Sequence, residues 1–391
     1  AQFIAEGVDQ TRGWFYSLLV LGVGIFEKSP YENVIVNGLI LAEDGQKMSK
    51  RLNNYPDLNL TIDKYGADAI RLYLLSSPAV RAEDFDFSER GLGEVMRRVI
   101  MRLKNVLAFY QLYALSEIPA PPVKSSINLL DRWIESRLTE LNQAVAHAFD
   151  SYQLDQLGAP IDEFVDDLST WYLRRSRDRL KTEGQALQAL RQVLITLAKI
   201  IAPLLPFVAE EIYQALRAPT DRESVHLETW PETEEIRTEL IAQMAEVRKL
   251  VSLALEERSK AGVKVRQPLL TLIIRGTKPI GFTPEFLSLI ADEVNVKEVK
   301  WQVDLVELVK LNLELTPELV AEGEVRDLIR QIQDLRKQAG LSPGAPAVLT
   351  VSSRHDKREV IEREMVKFKR LTSLREIKFS DTTDAPLSLS N

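Results

Sequence analysis

Two spacings of apolar residues succeed one another along the chain. The first ninety or so residues carry short, dense apolar runs. "WFYSLLVLGVGIF", residues 14 to 26, is apolar all round. It has the length of a helix buried in a core and falls short of the roughly 20 residues that span a bilayer. "YENVIVNGLIL", 31 to 41, is β-branched and of strand length, and a helix feeding a buried strand predicts part of an α/β sheet. "TIDKYGADAIRLYLLSS" reads as two short helical pieces hinged at Gly66, the second turning Ile70, Leu72 and Leu74 inward.

From about Ser88 the spacing becomes three and four. Leu92, Val95, Val99, Leu103, Val106 and Tyr110 form one stripe of a long amphipathic helix. "PAPPV", 119 to 123, is a stiff break. Helical stretches over about 126 to 150, 154 to 182 and 184 to 217, the last interrupted at Pro203 and Pro206, predict an antiparallel bundle. A further helix over about 234 to 261 leads into β-like runs, "LLTLIIR", "AVLTVSS" and "REIKFS", that alternate with helical ones, so a mixed α/β region is expected there. The closing "SDTTDAPLSLSN" is polar and reads as frayed. No internal repeat and no low-complexity tract is evident.

Composition narrows the chemistry. With 391 residues, 45% of them hydrophobic, the chain has room for two to four packed domains. It has no cysteine, which excludes disulfides and thiolate zinc sites. His147, His226 and His355 lie far apart, so no histidine metal centre is expected, and His147 sits in a helical pattern as a surface residue. A net charge of -7 argues against indiscriminate polyanion binding while leaving room for local basic patches. The first residue is Ala1 and no charged leader segment follows, so the chain is expected to be the later portion of a longer protein.

Two basic clusters stand out. In "EDGQKMSKR", 43 to 51, Gly45 suits a tight turn, and Lys47 and Lys50, three residues apart, would project to one side of a turn or single helical twist. That spacing is too common to carry meaning alone, and by itself it reads as a solvated face. In "WYLRRSRDRLK", 171 to 181, Arg174, Arg177 and Lys181 share a helix face. They would either contact phosphates or form an intramolecular ion-pair face with Asp166, Asp167 and Asp178. The same two readings apply to Arg97, Arg98, Arg102 and Lys104. Trp171 and Tyr172, beside Leu168, read as core rather than as platforms for stacked bases.

The whole pentad KMSKR, after a strand and before a helical segment, resembles the KMSKS signature of the class I aminoacyl-tRNA synthetases, departing from it at Arg51. "AEGVDQTRGWFYSL", 5 to 18, is similar to the EGxDQxRGWF segment of the isoleucyl branch. "YGADAIRLYLLSS", "FVDDLSTWYLRRSRDR", "LAKIIAPLLPFVAEEIY", "SVHLETWPE" and "VRQPL" follow in the order of its eukaryotic-like members. The resemblance runs from residue 2 or 3 to beyond 340. It implies an α/β and mainly α chain in three parts: 1–87, the C-terminal part of a Rossmann-like catalytic domain with the KMSKR loop; 88–233, an anticodon-binding helical bundle; and 234–391, a mixed α/β C-terminal region.

It also implies an isoleucine-tRNA ligase using ATP with substrate-borne Mg2+, L-isoleucine and tRNA(Ile), as a cytoplasmic monomer with no metal site in this chain. Lys47 and Lys50 would be catalytic, meeting the ATP phosphates together with Ser49. Glu6, Gly7, Asp9 and Gln10 would lie at the aminoacyl-adenylate. Trp14 would wall the isoleucine side chain, the plainer alternative being core packing, and Glu6 and Asp9 could instead cap a helix beginning near Thr11. Arg174, Arg177 and Lys181 would meet tRNA. No HIGH or HxGH signature and no editing domain occurs in the sequence, so the chain alone is expected to be inactive. A non-catalytic RNA-binding descendant of a synthetase is the rival. It would keep the bundle and let the lysine loop decay, whereas here the loop, Glu6, Asp9 and Gln10 are all retained.

Overall fold

The computed structural model describes residues 1–49, 51–52, 54–114, 128–232, 235–342, 344–352, 357–380 and 387–390. The chain divides into two compact units, Ala1–Ile241 and Ala242–Asn391. The break predicted at 119 to 123, together with Lys50 and His355, lies outside the described residues. Among the described residues no helix is long and apolar enough to cross a membrane.

The first unit opens with a β-α-β crossover. Strand β1 (Phe3–Gly7), unassigned from sequence, pairs in parallel with β2 (Asn33–Asn37), and helix α1 (Trp14–Phe26) connects them. Gly22 of α1 lets Pro30 approach to a distance at which a Cβ would collide, 2.7 Å from the ring. The expectation of a buried core helix and a buried strand is corrected. Within α1 only Phe15 and Gly22 are buried, while Tyr16, Leu21, Ile25 and Phe26 are more than half exposed, and β2 has no buried residue. A two-stranded sheet cannot cover an all-apolar helix, so one stripe packs and the rest faces outward.

The run 31 to 41 is two strands, because the chain bends at Gly38, whose amide donates to the Ala79 carbonyl at 2.7 Å. Short strand β3 (Ile40–Leu41) pairs in parallel with β4 (Phe85–Asp86). Between them lie α2 (Leu58–Tyr65) and α3 (Ala67–Leu75), separated at Gly66, whose φ of 81° forbids a continuous helix. Ile70 and Leu72 are buried, and Leu74 is half-buried.

The helical part follows the predicted stripes. α4 (Glu89–Val95) and α5 (Met101–Tyr113) run on through one π-helical stretch, burying Leu92, Val99, Leu103, Val106 and Tyr110. α6 (Leu129–Asp150) is capped by the Asn128 side chain. α7 (Gly158–Asp166) and α8 (Arg174–Thr182) are joined by a second π-helical stretch over 167–173. α9 (Gly184–Ile201) ends before Pro203, and α10 (Pro206–Leu216) begins with its proline in the first turn. α3 is fastened to that turn: the Asp68 carboxylate accepts from the Phe207 and Val208 amides at 3.3 and 2.7 Å, and Arg71 donates to the Pro203 and Leu204 carbonyls at 2.9 and 3.0 Å. Burial pushes the Asp68 carboxyl above its ordinary value, against the pull of the two amides.

The second unit contains what the sequence reading denied, an internal repeat. α11 (Thr238–Lys260), within which the two units divide, leads to β5 (Leu269–Arg275), α12 (Pro284–Val294), β6 (Val296–Gln302) and β7 (Val309–Leu311). β5 is central, parallel to β6 and antiparallel to β7. The same path follows in α13 (Pro317–Gln338), β8 (Ala347–Ser352), α14 (Arg358–Arg363), α15 (Met365–Thr372), β9 (Leu374–Ser380) and β10 (Leu387–Ser390). β8 is central, parallel to β9 and antiparallel to β10, so the terminal stretch read as frayed holds a paired strand.

The correspondence reaches single atoms. In the first module, buried Arg258 donates to the carbonyls of Val294, Lys264, Gln267 and Asn295. In the second, buried Arg336 donates to those of Ser373, Ser342 and Ala345. Arg258 and Arg336, Gly262 and Gly340, and left-handed Asn295 and Ser373 stand at one constant spacing. Burial lowers the Arg258 guanidinium to about 10, still charged at neutrality.

Candidate functional site

The lysine loop is a tight turn with a side-chain brace. After β3, the Ala42 amide donates to the Gln46 carbonyl at 2.9 Å and the Gly45 amide to the Ala42 carbonyl at 2.8 Å. Gly45 has a φ of 76°, a conformation that glycine enters without steric cost. Asp44 accepts from the Gln46 amide at 3.1 Å, and Leu41 bridges Lys47 in antiparallel fashion. Lys47 is exposed. Met48 and Ser49 help line a largely apolar cavity of about 390 Å3 with Ile40, Tyr55, Pro56, Leu58, Thr61, Ile70, Leu74 and Phe87.

The brace is Asn54, which the sequence reading passed over. Its Oδ1 accepts from the Ser49 amide at 2.8 Å and its Nδ2 donates to the Lys47 carbonyl at 3.2 Å. The Ser49 hydroxyl in turn accepts from the Leu52 amide at 3.2 Å. The available signal was an asparagine shortly after a glycine turn, a residue type that bonds backbone in loops.

Glu6, Gly7, Asp9, Gln10 and Trp14 cluster where β1 gives way to a 3-10 turn and then α1. The helix-capping alternative belongs to neither acid. The Gln10 Oε1 accepts from the Trp14 amide at 2.8 Å, while the Gln10 Nε2 donates to Asp9 at 2.8 Å. Among the described residues Glu6 accepts only from the adjacent Gly7 amide, at 3.1 Å. Asp9 therefore orients Gln10, and Gln10 serves the helix. Trp14 is 46% exposed, so core packing does not describe it in this chain. Among the described residues no hydrogen bond or ion pair joins this cluster to the lysine loop.

In the bundle the two basic helices part ways. The cations of 97 to 104 are occupied within the fold: Arg98 pairs with Asp162, Arg102 with Asp166 at 2.7 Å and Lys104 with Glu211 at 2.8 Å, and Arg97 donates to the Gly93 carbonyl at 3.2 Å. Asp167 is taken by Arg137 at 2.7 Å. Arg179 turns inward to Asp131, a fully buried carboxylate that also accepts from the Tyr172 hydroxyl at 2.8 Å. Tyr172 is thus core, and Trp171 is half-buried. Arg174, Arg177 and Lys181 stay exposed on one face. Arg174 lies over the Trp171 ring and Arg177 over Phe109, each 5.8 Å from the centroid, and Lys181 pairs with the exposed Asp178 at 2.8 Å. Among the described residues no cluster of three or more histidine, aspartate or glutamate side chains is placed to hold a metal ion.

Two family models match: "tRNA synthetases class I (I, L, M and V)" over residues 1–86, and "Anticodon-binding domain of tRNA ligase" over 131–274. The isoleucine–tRNA ligase of Chlamydia trachomatis is 45% identical over 313 residues, 76% of this chain and 30% of that protein. That of Protochlamydia amoebophila is 42% identical over 354 residues, 88% of this chain and 33% of that protein. The chain therefore spans about a third of the length of the curated relatives it matches. A solved ternary complex of LeuRS, tRNA and LeuAMS from Agrobacterium radiobacter aligns with a TM-score of 0.45 at 19% identity, over 75% of this chain and 35% of that one.

Proposed function

Since the chain belongs to the class I aminoacyl-tRNA synthetase family, we propose that it is the later portion of an isoleucine–tRNA ligase and that its lysine loop serves amino-acid activation. In that reaction an isoleucine carboxylate oxygen attacks the α-phosphorus of ATP, the bond to the bridging oxygen breaks, and pyrophosphate leaves with the electron pair. Negative charge grows on the departing phosphates, so a cation held beside them stabilises the transition state more than the ground state. The observation that carries the reading is Lys47, exposed on a glycine turn whose backbone is bonded on both sides of Met48. Lys50, the second lysine of the pentad, is assigned the same task and Ser49 a place beside it. Mg2+ arrives with the nucleotide and adds charge neutralisation there.

Glu6, Gly7, Asp9 and Gln10 are proposed at the adenylate, with the exposed Trp14 indole as an apolar wall for the isoleucine side chain. Arg174, Arg177 and Lys181 are proposed on tRNA phosphates. The three-part layout, with boundaries near 87 and 233, a cytoplasmic location and a monomeric enzyme belong to the same reading. The exposed apolar surface of α1 supports a portion that packs against further protein carrying the HIGH signature, so the chain alone should not form adenylate. ATP–pyrophosphate exchange tests both points. The full-length ligase with Lys47→Ala and Lys50→Ala should lose about 10² to 10³-fold in rate with its isoleucine KM unchanged, and the isolated chain should give no exchange. Normal turnover in the variant would remove the lysine assignment.

A further inference from the structure

We infer that Asn54 is a positioning residue for the lysine loop, acting through Lys47 rather than on substrate; this rests on the activation reading above. One side-chain amide spans the two peptide groups that flank Met48, accepting from the Ser49 amide at 2.8 Å and donating to the Lys47 carbonyl at 3.2 Å. The effect is that of a neighbouring strand supplied by a single residue: Lys47 is already bridged to Leu41 on its other side, so the segment is held from both edges. Met48, between the two bonds, lines the apolar cavity formed with Tyr55, Pro56, Leu58 and Ile70. With the backbone fixed at 47 and 49 and Met48 in the wall of that cavity, Lys47 is left exposed on the turn.

The chemistry admits few substitutes. The role needs one donor and one acceptor on a short arm. Aspartate accepts from Ser49 and cannot donate to the Lys47 carbonyl, against which its charge is repelled. Glutamine has the right groups on an arm one methylene too long. An ammonium displaced by about 1 Å from a departing phosphate costs on the order of 10² in rate, so loosening the brace should register in kcat. Binding of isoleucine, which involves the 6 to 14 segment in this reading, should be untouched.

The test is ATP–pyrophosphate exchange by the full-length ligase, comparing wild type, Asn54→Ala, Asn54→Asp, the double variant Lys47→Ala/Lys50→Ala, and the triple variant. Asn54→Ala and Asn54→Asp are expected to lower kcat by about 10- to 100-fold, with the isoleucine KM and the thermal midpoint unchanged. The triple variant is expected to be no slower than the double, because the brace has nothing left to position. Wild-type kcat in Asn54→Ala beside a crippled lysine double variant would overturn this inference alone. Full additivity in the triple variant would overturn it too, since Asn54 would then be acting independently of the lysines. Normal exchange by the lysine double variant would overturn the loop reading and this inference with it.

Discussion

At the scale of single residues, the two buried arginines give the firmest energetic statement. Both Arg258 and Arg336 are held by backbone carbonyls. The Lys264, Asn295, Ser342 and Ser373 carbonyls also accept from the Gln267, Leu269, Ala345 and Ala347 amides, so removal falls hardest on the Val294 and Gln267 carbonyls at Arg258 and on the Ala345 carbonyl at Arg336, at about 1 to 3 kcal/mol apiece before relaxation. Arg336→Met should therefore cost about 1 to 3 kcal/mol in urea melts of this chain. Arg258→Met should cost more, because its four bonds run 2.7 to 3.1 Å whereas two of the three at Arg336 are 3.3 and 3.5 Å. An inverted order would mean that the carbonyls find water once the guanidinium is gone. Sequence made Lys47 and Ser49 visible because a charged pentad after a glycine is a local pattern. Asn54 stayed hidden because its work depends on which peptide groups the turn brings within reach, and spacing alone does not fix that.

At the scale of elements, period decided what could be foreseen. The bundle helices bury stripes at three- and four-residue spacing, and these were legible. β6 is broken up by Lys297, Glu298 and Lys300 and β7 is only Val309–Leu311, so neither has a run dense enough to announce a strand. Elements here are also joined by polar ties that no pattern predicts. Glu228 accepts from the Tyr213 hydroxyl of α10 and from Lys199 of α9 at 3.0 Å. The tyrosine hydroxyl first, and the lysine after it, hold that carboxyl below its ordinary value. A carboxyl whose folded pKa is depressed contributes stability above its unfolded value and loses it as the pH falls through the folded one. Urea midpoints of wild type and Glu228→Gln should therefore differ at neutral pH and converge in acid. A gap that persists in acid would show that packing, not charge, makes the tie.

At the scale of the whole chain, the largest misreading was of α1, read as buried and found exposed. Periodicity reports how apolar a helix is and says nothing about how much protein lies beside it. A contiguous apolar surface of this kind associates. The isolated chain should self-associate with rising concentration in sedimentation, and Leu21→Glu with Ile25→Lys should suppress it. Unchanged association would place the sticky surface elsewhere. The repeat was the second misreading, and it did leave marks: Glu246, Val247 and Arg248 return as Glu324, Val325 and Arg326, and Ala261 and Gly262 as Ala339 and Gly340. Alternating strands and helices drew attention to element type and away from recurrence at long range.

Two neighbours built to one plan face a hazard on the way to the native state. While a chain refolds, a central strand from one half can be accepted by the sheet of the other, and such mispaired species are a known trap of tandem architectures. Divergence between "LLTLIIR" and "AVLTVS" makes the halves poor forgeries of each other, and that difference is itself a safeguard worth keeping when either half is redesigned.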